Sequence, residues 1–333
     1  MKNPLVSFIL GILDAERTIK ECLEGILMQD YKNYEIIIVD GGSKDKTLEI
    51  VKSFMRSHKN IKLLHNSKKL SEGKGMSKDM GVQSAKGDIV IFLDHDNILL
   101  DKNWLKEMLF PFEEDKEIMA TQSLLKFRES DSQFLKYINA MGVEDPFAVP
   151  YSLVSQVVLY PKNFELIKDR YYIHNLNKNK VLFAGANGAA FKKIVFKKIG
   201  GYTRDVDVYA SMASFSMKVA VVKNAKLYHA TSSNLWTYLK KKGIYFHRFI
   251  DGEYATKQFQ WIPTDFSGKL RFYLMVASNL SIFPASIVAI RQFFKTGRLF
   301  WFIHPGALFF MTLEYGLITL MRFRNFLDYG KKN

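Results

Sequence analysis

The sequence predicts an α/β protein: a mostly parallel, doubly wound sheet with helices on both faces, followed by apolar helices near the chain end. Three observations carry this expectation. Strand-like runs alternate with helically spaced segments through roughly the first hundred residues, the pattern of a parallel sheet. One of those runs, Ile89-Val90-Ile91-Phe92-Leu93, is continuously apolar and too short for a helix, as expected of a strand buried on both faces. From Phe272 to Ile290 no residue is charged, and from Leu299 to Met321 only Glu314 is, so each stretch is about long enough to cross a bilayer.

Taken in order, Val6 to Leu10 suits a first buried strand, and Leu5 to Leu13 is too short for a secretory signal core. Ala15 to Met28 places Ile19, Cys22, Leu23, Ile26 and Leu27 on one helical face. Tyr34 to Asp40 is a second strand ending in a carboxylate; the turn 41–47 follows, with Asp45 or Thr47 placed to cap a helix through Leu48, Ile50, Val51, Phe54 and Met55. Ile61 to Leu64 makes a third strand, and Ser71 to Ala85 a glycine-containing loop and helix. Right-handed crossovers then bring Asp40 and Asp94 to the same sheet edge. Beyond Asn97 the spacing predicts helices at Trp104–Phe112 and Ser132–Met141 and a strand at Ile118–Phe127. Residues 142–182 read as a substrate-facing insertion outside the core. Val219–Val222 and Ala225–Tyr228 read as two short strands.

Composition narrows the function classes. The chain of 333 residues has a formal net charge of +15, suited to partners that carry phosphate, whether nucleotides, nucleic acid or an anionic membrane. A single cysteine, Cys22, excludes an intrachain disulfide framework. The sequence holds no phosphate-binding loop ending in Gly-Lys-Ser/Thr, no cysteine pair for zinc and no Gly-x-Ser-x-Gly elbow.

Chemistry concentrates where the buried strand ends, in Asp94-His95-Asp96-Asn97. Open α/β sheets bind ligands at the carboxyl ends of their strands. Two carboxylates one residue apart there can approach a single hard cation that also holds phosphate oxygens. Alone, the same residues also fit a polar turn or a helix N-cap. Other motifs add to them: Gln29-Asp30-Tyr31 with the strand and turn 35–47, Gly73-Lys74-Gly75-Met76-Ser77-Lys78, Gly185 to Phe191, and Gly200-Gly201-Tyr202 followed by Arg204-Asp205-Val206-Asp207.

Together these resemble the family 2 glycosyltransferases of the GT-A fold, over most of residues 4–250. The resemblance implies transfer of a sugar from a nucleoside diphosphate, with UDP-sugars favoured and GDP-sugars as the alternative, and a divalent cation, Mg2+ or Mn2+. It assigns the nucleotide to Gly11, Asp14, Asp40, Gly41, Ser43, Lys74, Lys78 and Asp94. Asp96 and Asp94 fall on the metal, Asp94 alternatively on the ribose, and His229 takes the position of a metal-ligating histidine, against the reading of a structural one. Asp205, with Asp207 in reserve, takes the place of the base that deprotonates the acceptor, unless both merely cap a helix. The chain departs from the family in its first turn, which lacks Pro, Tyr and Asn, and at Arg204, where an acid is usual.

Trp236, Tyr238, Lys240, Lys241, Lys242, Tyr245 and Arg248 form an aromatic and basic helix before the apolar segments, suited to solvent, lipid headgroups or a polyprenyl phosphate. Arg204, Lys241, Lys242 and Arg248 are therefore the candidate acceptor-phosphate residues. The apolar segments, interrupted by Asn279, Pro284, Pro305 and Gly306, read as interfacial or re-entrant helices on the cytoplasmic face of the cell membrane, with a spanning hairpin as the alternative. The expected division is a nucleotide-sugar half at 1–97, an acceptor half at 98–265 and membrane-associated helices at 266–333. The function that follows is a membrane-bound inverting transferase acting on a polyprenyl-linked acceptor, with no nucleic-acid partner. Against it stand a non-catalytic nucleotide-sugar scaffold, suggested by the altered first turn, and a nucleic-acid-binding protein, suggested by the charge.

Overall fold

The computed structural model describes residues 3–68, 71, 73–142, 145–178, 182–185, 187–250 and 266–330. The chain forms two compact units, Met1–Lys126 with Tyr151–Thr231, and Phe127–Pro150 with Ser232–Asn333. The functional boundary expected at Asn97 falls inside the first unit.

The first unit begins with β1 (Val6–Ile12), α1 (Ile19–Leu27), β2 (Tyr34–Asp40), α2 (Thr47–Ser57), β3 (Ile61–His65), α3 (Ser77–Ser84), β4 (Ile89–Asp94), β5 (Asn97–Leu99), α4 (Trp104–Glu114) and β6 (Ile118–Lys126). α5 (Gln133–Met141) belongs to the second unit. The chain then returns to the first with α6 (Leu153–Leu159), β7 (Glu165–Ile167), β8 (Tyr171–Asn175), β9 (Ala189–Lys192), α7 (Ile194–Ile199), α8 (Asp205–Ala213) and β10 (Lys218–His229). All ten strands join one sheet, in the order β3-β2-β1-β4-β9-β6-β10-β8-β7, with β5 added alongside β10.

β1 runs parallel to both β2 and β4, and its last residues set the site: Gly11 pairs with Asp94, and Ile12 with Asp40. The two carboxylates therefore end strands on either side of β1, at one sheet edge, as the sequence predicts. β9 is antiparallel to β4 and β6, so the sheet is mixed. Alternate residues of the parallel strands face opposite layers. Phe8, Leu10, Ile36, Ile38, Ile91 and Leu93 pack with Cys22, Leu23, Ile26 and Val51. Phe92 faces Phe191, Phe196 and Tyr202, its ring centroid 4.9 Å from that of Tyr202.

Two expectations need correction. The stretch 142–182 is not simply an insertion outside the core. Leu153, Val154 and Val157 of α6 are buried, and β8 pairs with β10, a partner more than forty residues away that local pattern cannot reveal. The two short strands near residues 219 and 228 are one strand, β10, whose register against β6 shifts between Val222 and Lys226; the expected break is a bulge.

The second unit holds α5 and α9 (Leu235–Ile250), α10 (Phe266–Ser281), α11 (Phe283–Thr296) and α12 (Ile303–Gly330). Tyr137 of α5 is fully buried, and its hydroxyl lies 2.8 Å from His304 Nδ1. The uncharged stretch 272–290 is not one helix. Ile282 adopts a positive φ of 63°, Pro284 lies in the first turn of α11, and α10 and α11 meet at a bend of 69°. Among the described residues only Leu299–Arg322 is by itself long and apolar enough to cross a membrane, by length and composition, and 33% of an 18-residue apolar stretch within it is buried. Phe266, Phe283 and Phe294 stand at least two-thirds exposed.

Candidate active site

At the C-terminal edge of the parallel strands, the turns after β1 and β2 are laced together. Asp14 and Ala15 donate backbone N–H groups to Ser43 Oγ and Thr47 Oγ1 at 3.0 and 2.7 Å. Lys44 N donates to Asp14 Oδ1 at 2.7 Å, Glu16 N to Asp45 Oδ2 at 3.0 Å, and Lys46 N to Glu16 Oε2 at 3.0 Å. Asp14 holds φ +48°, a left-handed conformation that Asp tolerates better than most residues. Gly41 N donates to the Ile12 carbonyl at 2.8 Å. Asp40, 2% exposed, accepts from Gly42 N at 2.9 Å and from Ser43 N and Oγ at 3.1 and 2.6 Å. His65 Nδ1 lies 3.6 Å from Asp40 Oδ2, the oxygen that accepts from Gly42 N. Asp40 thus shapes the turn expected to receive the nucleotide base. Gly11 has a different reason to be glycine: a Cβ there would lie 3.1 Å from Ser71 Oγ and 3.3 Å from Ser77 Cβ, so its absence lets the loop before α3 settle on β1.

A second cluster joins the ends of the unit's sequence. Lys78, in the first turn of α3, is 1% exposed. Its Nζ lies 3.2 Å from Asp94 Oδ1 and 3.4 Å from both oxygens of Asp205. Tyr202 donates its hydroxyl to Asp205. Asp79 accepts from Gly75 N at 2.8 Å and from Tyr202 N at 2.9 Å, fastening the glycine loop to the Gly-Gly-Tyr segment. Side-chain exposure is 35% for Asp94 and 17% for Asp205. Of the two candidate bases, Asp207 is fully buried and Asp205 is partly exposed.

The third cluster centres on Asp96. β5 pairs with the end of β10 so that Asn97 faces His229, and Ala230 N donates to the Asp96 carbonyl at 2.9 Å. Asp96 Oδ2 lies 3.2 Å from His229 Nε2. That separation suits two ligands on adjacent positions of one small divalent ion, and a carboxylate with an imidazole is a donor set that Mn2+ accepts. Among the described residues no group of three or more His, Cys, Asp and Glu side chains is placed to hold a metal, so a cation here needs further oxygens from a bound substrate. Asp94, expected on the metal or the ribose, has one oxygen turned to Lys78. The turn itself is rigid: Asp94 N donates to Asn97 Oδ1 at 3.1 Å, and His95 Nδ1 lies 2.8 Å from Thr18 Oγ1. Beneath it, burial first, then the Asp96 and Asp94 charges, push the Cys22 thiol up.

The loop expected on the acceptor side is held from the sheet. Gln122 Nε2 donates to the Asn187 carbonyl at 2.7 Å, and Tyr209 OH to Gln122 Oε1 at 3.2 Å. Lys74 is exposed, and Arg204 sits half-buried at the N-cap of α8. Lys241 and Lys242 are in the second unit. Lys242 is buried, its ammonium 5.5 and 5.9 Å from the Tyr238 and Tyr245 ring centroids, which departs from a solvated basic face. The side chain of Arg248 lies outside the described residues. Sequence reasoning missed Asp79 and Thr18 as site-shaping groups, and saw Asn97 and Tyr202 only as parts of motifs. Asp79 follows Lys78 directly, but its partner Tyr202 lies 123 residues away, beyond any local signal.

Residues 7–200 match the family described as Glycosyl transferase family 2. Glycosyltransferase GlyG of Streptococcus pneumoniae is 32% identical over 136 residues, 41% of this chain and 44% of that protein. The putative glycosyltransferase EpsE of Bacillus subtilis is 36% identical over 109 residues, 32% of this chain and 38% of its own. These alignments span less than half the length of those curated relatives. Among solved structures, the mannosyltransferase PcManGT from Pyrobaculum calidifontis, in complex with GDP-Man and Mn2+, superposes with a TM-score of 0.61 at 15% identity, covering 95% of this chain and 86% of that one. The likeness is one of fold.

Proposed function

Starting from the fact that this chain belongs to glycosyl transferase family 2, we propose that it transfers a sugar from a nucleoside diphosphate to a hydroxyl of a lipid-linked glycan at the cytoplasmic face of the cell membrane. The observation that carries this reading is the meeting of Asp94, at the donor end of β4, and Asp205, on the acceptor side, at a single buried ammonium.

In the proposed step the acceptor oxygen bonds to the anomeric carbon while the bond from that carbon to the diphosphate oxygen breaks. The bonding electron pair leaves with the diphosphate, and the hydroxyl proton passes to the Asp205 carboxylate. Attack opposite the leaving group inverts the anomeric centre. Asp96 and His229 would hold a divalent cation, Mg2+ or Mn2+, whose contribution when bound is to neutralise charge on the departing diphosphate. Asp94, one oxygen already committed to Lys78, accepts from ribose hydroxyls with the other. The Asp40 turn, with Gly41, Ser43, Asp14 and Gly11 beneath it, frames the base, and exposed Lys74 lies in the loop expected near the diphosphate. Two carboxylates around one ammonium favour a neutral hydroxyl acceptor over a phosphate, which they would repel.

Support for membrane action comes from α12, with Leu299–Arg322 apolar enough to span, and from the exposed Phe266, Phe283 and Phe294 of the bent α10–α11 pair. The Pyrobaculum enzyme's GDP-Man and Mn2+ support a nucleotide sugar and a divalent cation here.

The test is sugar transfer by purified protein in detergent, with UDP- and GDP-sugars, Mn2+ or Mg2+, and lipid-linked acceptors from a membrane extract. Transfer lost on chelation and in Asp96→Ala, and reduced by ~100-fold or more in Asp205→Asn, is the expected outcome. Full activity of Asp205→Asn with a polyprenyl phosphate would replace the hydroxyl acceptor by a phosphate, for which Arg204 is the candidate ligand. No turnover with any donor, and no thermal shift with any nucleotide, would leave a scaffold that has lost the chemistry.

A further inference from the structure

The sequence leads to the expectation that Lys78 binds the nucleotide; in the structure its ammonium faces two carboxylates. Three carboxylate oxygens surround its Nζ, one from Asp94 at 3.2 Å and two from Asp205 at 3.4 Å each. An ammonium has three N–H donors, and these carboxylate oxygens lie within its reach. At 1% exposure the amine offers no open face to a diphosphate. We propose that Lys78 is a positioning residue that holds Asp205 beside the donor end of β4, rather than a ligand of the nucleotide's phosphates.

Everything around Lys78 fixes it. It lies in the first turn of α3, and the next residue, Asp79, clamps Gly75 N and Tyr202 N at 2.8 and 2.9 Å. Tyr202 in turn donates to Asp205, so the acceptor carboxylate is held from two directions. Gly81, one turn further along α3, has no room for a Cβ, which would come within 2.3 Å of Ile9 Cγ2; the helix is seated directly on β1. Without the ammonium, Asp94 and Asp205 would be two like charges facing each other, and the more weakly tethered of them would swing away. A displacement of about 1 Å at a reacting group is enough to lower turnover ~100-fold.

This assignment rests on the reading of Asp205 as the base, and a double-mutant cycle separates the two. Turnover with saturating donor and acceptor is measured for Lys78→Met, Asp205→Asn and the double variant, together with nucleoside diphosphate affinity in Mn2+. Lys78→Met is expected to lose ~100-fold in kcat while its nucleotide affinity stays within about threefold. The double variant is expected to match Asp205→Asn within about threefold, because Lys78 acts through Asp205. Lys78→Gln, a shorter side chain that keeps an N–H donor but no charge, takes the place of Lys78→Met if that chain fails to fold, with the same expectation. Wild-type protein without transfer, or Asp205→Asn with full turnover, overturns the reading of the site and this assignment with it. With both intact, the assignment alone falls if the losses multiply in the double variant. It falls equally if nucleotide affinity drops in step with kcat, the mark of a phosphate ligand, or if Lys78→Met turns over at the wild-type rate.

Discussion

Gly25 offers a test in which local propensity and tertiary packing predict opposite signs. It lies inside α1, where replacing glycine by alanine ordinarily stabilises by about 1 kcal/mol. In the structure a Cβ at Gly25 would stand 2.8 Å from the Leu99 carbonyl oxygen and 3.0 Å from the Leu99 nitrogen. Both are backbone atoms of β5, and no rotamer change relieves them. Overpacking of a rigid contact costs about 1–3 kcal/mol, and a clash with main chain belongs to the upper half of that range. The net expectation for Gly25→Ala is a destabilisation of about 1–2 kcal/mol, or a fall in melting temperature of about 2–8 °C for a unit of this size. Because β5 begins at Asn97 and pairs with His229, the strain falls on the Asp96–His229 pair, so the Mn2+ concentration for half-maximal transfer should rise as well. Differential scanning fluorimetry and a metal titration read the two effects. Gly316→Ala, in α12 with nothing within 4 Å of its Cβ, is the matched control and should hold or raise the melting temperature. A Gly25→Ala protein as stable as wild type, or more stable, would refute the close approach of α1 to β5.

Three further outcomes follow from the same geometry. His229→Ala should raise the Mn2+ requirement of transfer about 10- to 100-fold while leaving nucleotide affinity in the absence of metal unchanged, as read by activity against free Mn2+ and by calorimetry. Cys22, buried with its pKa raised, stays a neutral thiol and should react with Ellman's reagent at pH 8 only once the protein is unfolded in guanidinium; prompt labelling of the native chain would contradict its burial. Phe283→Asp combined with Phe294→Asp removes two of the most exposed apolar side chains of α11 and should lower co-sedimentation with lipid vesicles several-fold without changing the melting temperature.

The sheet edge was legible because its determinants are local. β1, β2 and β4 each pass from an apolar run to a polar turn, and that transition alone predicts where Asp40 and Asp94 end. The start of α5 was legible for the same reason, Ser132 Oγ accepting from Leu135 N at 3.2 Å, whereas the N-cap of α2 is Lys46 and Asp45, one position earlier, accepts from Thr47 N at 3.0 Å. What the residues did not disclose depends on partners far along the chain. Lys78 carries the same symbol whether it faces a phosphate or two carboxylates, and its contact with Asp205 spans 127 positions. Burial separates Asp205 from Asp207, which occupy the same first turn of α8 and differ by two positions. The bend between α10 and α11 was half visible, since Pro284 marks a helix start, but the positive φ of Ile282 has no sequence signal in a β-branched residue.

The bond partners Lys78 and Asp205 are separated by 127 positions, and Asp79 and Tyr202 by 123. Such contacts are the last to be rewarded during folding, because the entropy of closing a long loop is lost before any bond forms. A chain still emerging from the ribosome carries β1, β2 and β4, with Asp40 and Asp94, before Asp205 is made. If Asp205 is the base proposed above, the site is complete only once the whole first unit has closed.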